Sequence, residues 1–180
     1  MLYTVTIAFP LTSSTTHTII ARHNTMKRVS ILLVDDERDA IETLGERLRH
    51  RGMAVECVFS GQDALIRLDN QPPCDVVLLD IAMPEQDGIA TLKLIKHDHP
   101  LVEVIMFTGQ ATVQSAVEAI KHGAIDFLTK PCHIEQLVSL VERAAAKRHE
   151  RQMKILDIRM QPYLTDLERK EQIRQILENS

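Results

Sequence analysis

The chain has few of the features that mark a secreted protein or a zinc protein. Only three cysteines occur among its 180 residues. Cys57, Cys74 and Cys132 are odd in number and no two of them have CxxC spacing. We therefore expect free, reduced thiols, because this pattern is typical of neither a disulfide framework nor a zinc site.

Long apolar runs and an excess of positive charge are also absent. No apolar stretch approaches the roughly 18 residues that a membrane helix needs. The first basic residue is Arg22, so the N-terminus lacks the charged region of a secretory signal. The formal net charge is -4, which gives no reason to expect broad nucleic-acid binding. These absences predict a cytoplasmic protein with neither membrane association nor direct nucleic-acid contact.

What is present is typical of a globular domain, with 44% hydrophobic and 26% charged residues. One domain and some additional chain fit in this length. We divide the sequence into an N-terminal extension (1–25), a central domain (26–147) and a C-terminal tail (148–180).

The N-terminal extension is rich in Thr and Ser and contains no Asp or Glu. Val5, Ile7 and Phe9 alternate, so a short strand is possible. We favour a loose extension outside the fold, or a start codon assigned too early, since Met26-Lys27-Arg28 directly precedes the first predicted strand. A functional arm is the alternative.

The central domain alternates strand-like apolar runs with segments of helical apolar spacing, five times over. The predicted strands are Val29–Val34, Ala54–Phe59, Val76–Leu79, Val104–Phe107 and Ala124–Leu128. A βα pattern repeated in this way predicts a doubly wound α/β fold with a parallel sheet. Right-handed crossovers then place helices on both faces of the sheet.

The C-terminal tail is charged and helical in character. Apolar residues with a 3,4 rhythm, which would extend the fifth helix, are Met153, Leu156 and Met160. Pro162 should interrupt that helix. Thr165 and Glu168 have capping-box spacing and predict the start of another helix. Its apolar side would be formed by Leu167, Ile173, Ile176 and Leu177.

Polar residues follow the predicted strands at the points where the strands end. Asp35 and Asp36 follow ILLV, Asp80 follows VVLL, Thr108 follows VIMF and Lys130 follows the strand AIDFL. The carboxyl ends of parallel strands meet at one edge of the sheet, where open α/β sheets bind ligands. Three carboxylates, a hydroxyl and an ammonium group there favour a site for a divalent cation and a phosphoryl group.

Each residue also has a plainer interpretation. Aspartates at strand ends often cap the following helix. Thr108 could be an ordinary strand residue, although Gly109 after it favours a loop hydroxyl. Lys130 could be a solvated lysine, and its bond to Pro131 is of the kind that can be cis. Cys132 and His133 are interpreted as a helix start in preference to a redox or metal site, while the scattered His97, His99 and His122 indicate solvated surface.

The segments LLVDDE, VVLLDIAMPEQDG, VIMFTGQ and GAIDFLTKP resemble the receiver domain of two-component response regulators, from about Lys27 to Lys147. The resemblance implies a flavodoxin-like, five-stranded sheet of order 2-1-3-4-5. It implies that Asp80 is the phosphoacceptor and that Asp36 and Asp80 bind Mg²⁺ directly. Asp35 would assist, and the backbone carbonyl of Ala82 would be a further ligand.

The same resemblance assigns roles to residues around this site. Thr108 and Lys130 would be the switch hydroxyl and the lysine of the family, and Phe127 would occupy its aromatic switch position unless it is simply a core residue. Ala82 and Gln110 would flank the path of hydrolytic water.

The resulting expectation is a phosphorylation switch. A sensor histidine kinase would supply the phosphoryl group, and the domain would catalyse its own phosphorylation and slow dephosphorylation without acting as an enzyme on another substrate. The tail is short for a DNA-binding domain with its own core, so we expect an output through protein contacts, including possible homodimerisation. The alternative is a transcription regulator that acts through its tail or a DNA-binding partner. An aspartate-dependent phosphatase is disfavoured because position 82 is Ala, where that class needs a second Asp.

Overall fold

The computed structural model describes residues 28–72, 74–84 and 87–178. The predictions made for the N-terminal extension lie outside this range. The strands of the sheet are β1 (Ser30–Val34), β2 (Ala54–Val58), β3 (Val76–Leu79), β4 (Glu103–Thr108) and β5 (Asp126–Thr129). All neighbouring strands are parallel and their order is β2-β1-β3-β4-β5, which confirms the predicted doubly wound fold.

The helices are α1 (Arg38–Arg49), α2 (Gly61–Asn70), α3 (Gly88–Asp98), α4 (Val113–Lys121), α5 (Ile134–Met160) and α6 (Asp166–Glu178). Successive residues of a strand point to opposite faces of the sheet. One face of the sheet packs against α2, α3 and α4 through residues such as Leu32, Leu79 and Leu92. The other face packs against α1 and α5 through residues such as Ile31, Ile41 and Leu137. None of the helices in the described ranges is long and apolar enough to cross a membrane.

Every strand except β3 differs from its predicted bounds by one or two residues, and the differences in β5 and β4 bear on the site. β5 begins at Asp126, two residues later than expected, because the Ala124 amide donates to the Ala119 carbonyl at 3.0 Å and so still belongs to the turn after α4. β4 extends to Thr108, which is therefore the buried last residue of a strand and not a loop hydroxyl. Its side chain nevertheless lies at the predicted edge of the sheet.

The tail continues α5 and then forms a separate helix, α6, as the sequence predicted. α5 runs without a break to Met160, and Pro162 follows its end. The Thr165 amide donates to Glu168 at 2.9 Å and the Glu168 amide donates to the Thr165 hydroxyl at 3.3 Å, which is the reciprocal bonding of a capping box. α6 packs back along α5, but Leu167 is exposed and does not contribute to its apolar side.

A buried ionic cluster (Asp75, Lys96, Glu103, Arg148, Arg151) joins α5 to the amino-terminal edge of the sheet. Arg148 pairs with Asp75 at 2.8 Å, Arg151 with Glu103 at 2.6 Å, and Lys96 with Glu103 at 3.8 Å. Burial lowers the pKa of the Lys96 ammonium, an effect that the Glu103 carboxylate opposes. The second half of α5 therefore turns two arginines, and not its methionines, towards the sheet.

Candidate functional site

The predicted polar residues meet at the carboxyl edge of the sheet. Val34 and Leu79 are paired in register on adjacent strands, so Asp35 and Asp80 directly after them are neighbours. The Asp80 amide donates to the Val34 carbonyl at 2.9 Å, which fixes the backbone at this point.

Asp35, Asp36 and Asp80 form an acidic cluster whose ligand oxygens lie within 4.8 Å of one another. Asp35 and Asp80 are only 6% and 7% exposed, whereas Asp36 is open to solvent. In the part of the chain that the structure describes, this is the only group of three or more His, Cys, Asp or Glu side chains with such geometry. Oxygen ligands of this kind suit a hard divalent cation such as Mg²⁺.

Lys130 places its ammonium group between two of these carboxylates. Its Nζ donates to Asp35 Oδ2 at 2.5 Å and lies 3.7 Å from Asp80 Oδ1. The ring of Phe107 flanks the same nitrogen, 5.5 Å from the ring centre. The bond between Lys130 and Pro131 is cis, as the sequence allowed.

The side-chain oxygens of the two buried aspartates, Asp35 and Asp80, differ in their hydrogen bonding. Asp35 Oδ1 accepts from the Glu37 amide at 2.9 Å, and its Oδ2 is occupied by Lys130. Asp80 Oδ1 is buried and has no hydrogen-bond partner among the described residues. A buried carboxylate oxygen without a donor is costly, so its environment favours an arriving electrophile or cation.

Thr108 lies beside this cluster at the end of β4. Its hydroxyl accepts from the Gln110 amide at 3.2 Å, and its carbonyl accepts from the Lys130 amide at 2.8 Å. The second contact ties the end of β5 to the end of β4, and so links the backbones that carry the hydroxyl and the ammonium group.

The remaining predicted residues lie at the periphery. Phe127 is half-buried and packs against the core, and Ala82 is exposed. Burial raises the pKa of the Cys132 thiol, and His133 is the residue before α5, which supports the helix-start interpretation of this pair. All three cysteines are free, and burial raises the pKa of Cys74 to about 12, so that thiol is inert.

Sequence reasoning did not assign a role to Gly88, the first residue of α3. The Gly88 amide donates to the Ile81 carbonyl at 3.0 Å, and a Cβ added at position 88 would lie 2.0 Å from the Asp80 carbonyl oxygen. Only glycine permits this approach of α3 to the backbone of Asp80. The signal for it was Asp87 before Gly88, because the Asp87 side chain caps α3 and so fixes where the helix begins.

We expect Gly88→Ala to destabilise the protein by about 1–3 kcal/mol, since the backbone must move to admit the methyl group. It should also reduce any phosphoryl incorporation at Asp80. Urea unfolding measures the first effect. Gly109→Ala is the control, because a Cβ at position 109 meets nothing within 4 Å; equal stability of the two variants would show that the close approach is not a constraint.

Comparison with known proteins identifies the class of protein to which this parallel sheet and the acidic site at its carboxyl edge belong. The family model of the response regulator receiver domain matches residues 31–142. The chain therefore belongs to the receiver-domain family of two-component response regulators.

Several known proteins are similar to this chain over the receiver part. Transcriptional regulatory protein ZraR of Salmonella typhimurium is 40% identical over 123 residues, which cover 68% of this chain and 28% of that protein. The DNA-binding transcriptional regulator NtrC of the same organism is 39% identical over 127 residues, covering 71% and 27%. The receiver domain of NtrX from Brucella abortus is 36% identical with a TM-score of 0.61, covering 64% of this chain and 98% of that structure. The chain thus matches little more than a quarter of the length of the curated relatives.

Proposed function

We propose that Asp80 accepts a phosphoryl group from the phosphohistidine of a partner histidine kinase in a Mg²⁺-dependent reaction, and that the phosphorylated domain changes its protein contacts. The observation that carries this proposal is the Asp80 Oδ1 atom, which is buried, lacks a hydrogen-bond donor among the described residues, and lies 3.7 Å from the Lys130 ammonium.

The residues present fit a magnesium ion. Both Asp35 oxygens already accept hydrogen bonds, so Asp36 and Asp80 would be the direct carboxylate ligands and Asp35 would assist. By resemblance to the receiver family, the Ala82 backbone carbonyl would be a further ligand. Mg²⁺ takes a few protein oxygens and completes its shell with water and phosphate. When bound, the ion would offset the negative charge between the attacking oxygen and the incoming phosphoryl group.

The chain's own groups would perform the transfer. A carboxylate oxygen of Asp80 attacks phosphorus, the P–N bond of the phosphohistidine breaks, and an acyl phosphate forms. Lys130 would then pair with the phosphoryl group, and the Thr108 hydroxyl would donate to one of its oxygens. The protein would thereby catalyse its own phosphorylation and slow dephosphorylation without acting as an enzyme on a separate substrate.

Phosphorylation would shift the population between two states of the molecule. Movement of Thr108 and Lys130 towards the phosphoryl group would draw Phe127 inward and reshape the surface of α4, β5 and α5. α4 carries large exposed apolar side chains at Val113, Val117 and Ile120. Such a patch suits a protein partner or a second copy of the chain.

A second candidate function is transcription control through DNA, which the names of the ZraR and NtrC relatives favour. Those proteins are matched over only 28% and 27% of their length. In this candidate function, DNA would be contacted through the tail or through a DNA-binding partner. A gel-shift titration with a steep salt dependence would support this candidate.

The proposed reaction predicts that incubation with acetyl phosphate adds one phosphoryl group only when Mg²⁺ is present. The clustered carboxylates repel an incoming phosphoryl group unless a cation offsets their charge. Intact-mass spectrometry with and without EDTA measures the requirement. Equal incorporation under both conditions would contradict the role of the acidic cluster.

We further predict that Ala82→Asn shortens the lifetime of the acyl phosphate by about two- to tenfold, since one amide hydrogen bond to an attacking water is worth about 1 kcal/mol. A phosphate-release assay measures the lifetime. Ala146→Asn, at an exposed position of α5, is the control. An unchanged lifetime in Ala82→Asn would remove position 82 from the water path.

A further inference from the structure

A cavity of about 640 Å³ lies at the amino-terminal edge of the sheet, opposite the acidic cluster. It is open to solvent on one side and is bordered by the segment before β4, the second half of α5, and α6. Apolar residues in its lining are Leu101, Met153, Leu156, Ile173 and Leu177. Its size is in the range of cavities that hold ligands or peptide side chains, about 300–1,000 Å³.

The walls of this cavity expose apolar surface that the described residues do not cover. Met153 and Leu156 are each 49% exposed although they line a concave site. Two large apolar side chains in one open cavity indicate a surface that another apolar segment covers.

The described chain enters the sheet at the rim of the cavity. The Ser30 amide donates to Asp75 Oδ2 at 2.9 Å, and Arg148 donates to Asp75 Oδ1 at 2.8 Å. Asp75 and Arg148 both line the cavity. Residues 1–27 therefore join the described chain at residue 28. This point is two residues before Ser30, whose amide is hydrogen-bonded to Asp75 in the cavity lining. An extended chain spans about 3.3 Å per residue, so this segment is long enough to reach any part of it.

The sequence of that segment suits an apolar cavity. Residues 2–9 carry Leu2, Tyr3, Val5, Ile7 and Phe9, and residues 1–27 contain no Asp or Glu. A short tether gives a binding segment an effective concentration in the millimolar range, so modest apolar burial is sufficient for docking.

We propose that the cavity is the docking site of residues 2–9 of the same chain. The occupant covers Met153 and Leu156 and fastens α5 and α6 to the edge of the sheet at which the chain enters it. This contact is independent of phosphoryl transfer at Asp80 and would exist whether or not the proposed function holds.

Hydrogen exchange of the full chain and of a variant that begins at Met26 tests the proposal. We expect the amides of residues 148–156 and 173–177 to exchange at least about tenfold more slowly in the full chain, the equivalent of about 1.4 kcal/mol. Equal exchange in the two proteins would overturn the proposal. Slow exchange that appears only as protein concentration rises would also overturn it, because the occupant would then be a second copy.

Single substitutions on each side of the contact provide an independent test. Trypsin cleavage after Arg22 should be several-fold faster in Phe9→Ser and in Leu156→Ser than in the unaltered chain. Met160→Ser is the matched control, since Met160 is 75% exposed on the same helix and does not line the cavity. Phe9→Ser lies outside the described fold, so its result does not depend on the stability of α5. Equal cleavage rates in all four proteins would refute the contact.

Discussion

Asp80→Asn is expected to abolish phosphoryl incorporation from acetyl phosphate while leaving the fold intact. Asparagine has nearly the volume of aspartate but lacks the nucleophilic carboxylate, so the acyl phosphate cannot form. It also removes one negative charge from a cluster of three carboxylates, two of which are buried. The free energy of unfolding should therefore not fall. A loss of phosphoryl incorporation would then reflect the missing nucleophile and not a loss of folding.

Intact-mass spectrometry after incubation with acetyl phosphate and Mg²⁺ measures the incorporation, and circular dichroism verifies folding. Asp157→Asn is the matched control, because Asp157 is an exposed aspartate on α5, remote from the sheet edge, and this variant should be phosphorylated like the unaltered chain. A folded Asp80→Asn protein that still gained a phosphoryl group would show that another residue is the acceptor.

The second large effect is expected from Arg151→Met, which should lower the free energy of unfolding by about 3–5 kcal/mol. Arg151 pairs at 2.6 Å with Glu103, whose side chain is only 1% exposed at the start of β4. Removing the arginine leaves a buried carboxylate with the more distant Lys96 at 3.8 Å. Breaking a buried ion pair on one side costs more than the pair contributes as a whole.

Urea unfolding measures this loss, and the same helix provides the control. Lys154 pairs with Glu150 at 2.6 Å, but both side chains are more than half exposed, so Lys154→Met should change stability little. Replacing Arg151 and Glu103 together by Met should recover part of the loss, since the buried carboxylate is gone and the Lys96 ammonium keeps its hydrogen bonds to the Pro100 and Val102 carbonyls. If Arg151→Met and Lys154→Met were equally stable, the ionic cluster would have no structural importance.

The sequence was sufficient to predict the sheet and the position of the candidate site. Val76–Leu79 is apolar throughout because both faces of the sheet are covered, and such a run can be recognised from neighbouring residues in the sequence. Since parallel strands must end at a common edge, the sequence alone predicts that Asp35, Asp80 and Lys130 lie close together. The structure places them within contact distance.

The buried face of the second half of α5 could not be predicted from local pattern. Met153, Leu156 and Met160 are the apolar residues there, yet the buried positions include Arg148 and Arg151. The partners that permit this burial lie 73 and 48 residues away in sequence. A helical rhythm cannot show an ion pair formed across the fold, and an arginine is assigned to solvent by default.

The ends of some strands and the close contacts between backbone segments also could not be predicted from local sequence patterns. Thr108 belongs to β4 because β5 pairs with it: Thr108 is in register with Thr129, and its carbonyl accepts from the Lys130 amide. The constraint on Gly88 exists only because α3 starts against the carbonyl of Asp80. Both facts depend on how distant segments meet.

The most direct test of the account is to locate the phosphoryl group itself. Borohydride reduction of the protein after treatment with acetyl phosphate and Mg²⁺ converts a phosphorylated aspartate to homoserine, and peptide mass spectrometry identifies the position. Homoserine is expected at position 80 and at no other aspartate. Modification at Asp35 or Asp36, or none at all in a folded and magnesium-loaded protein, would contradict it.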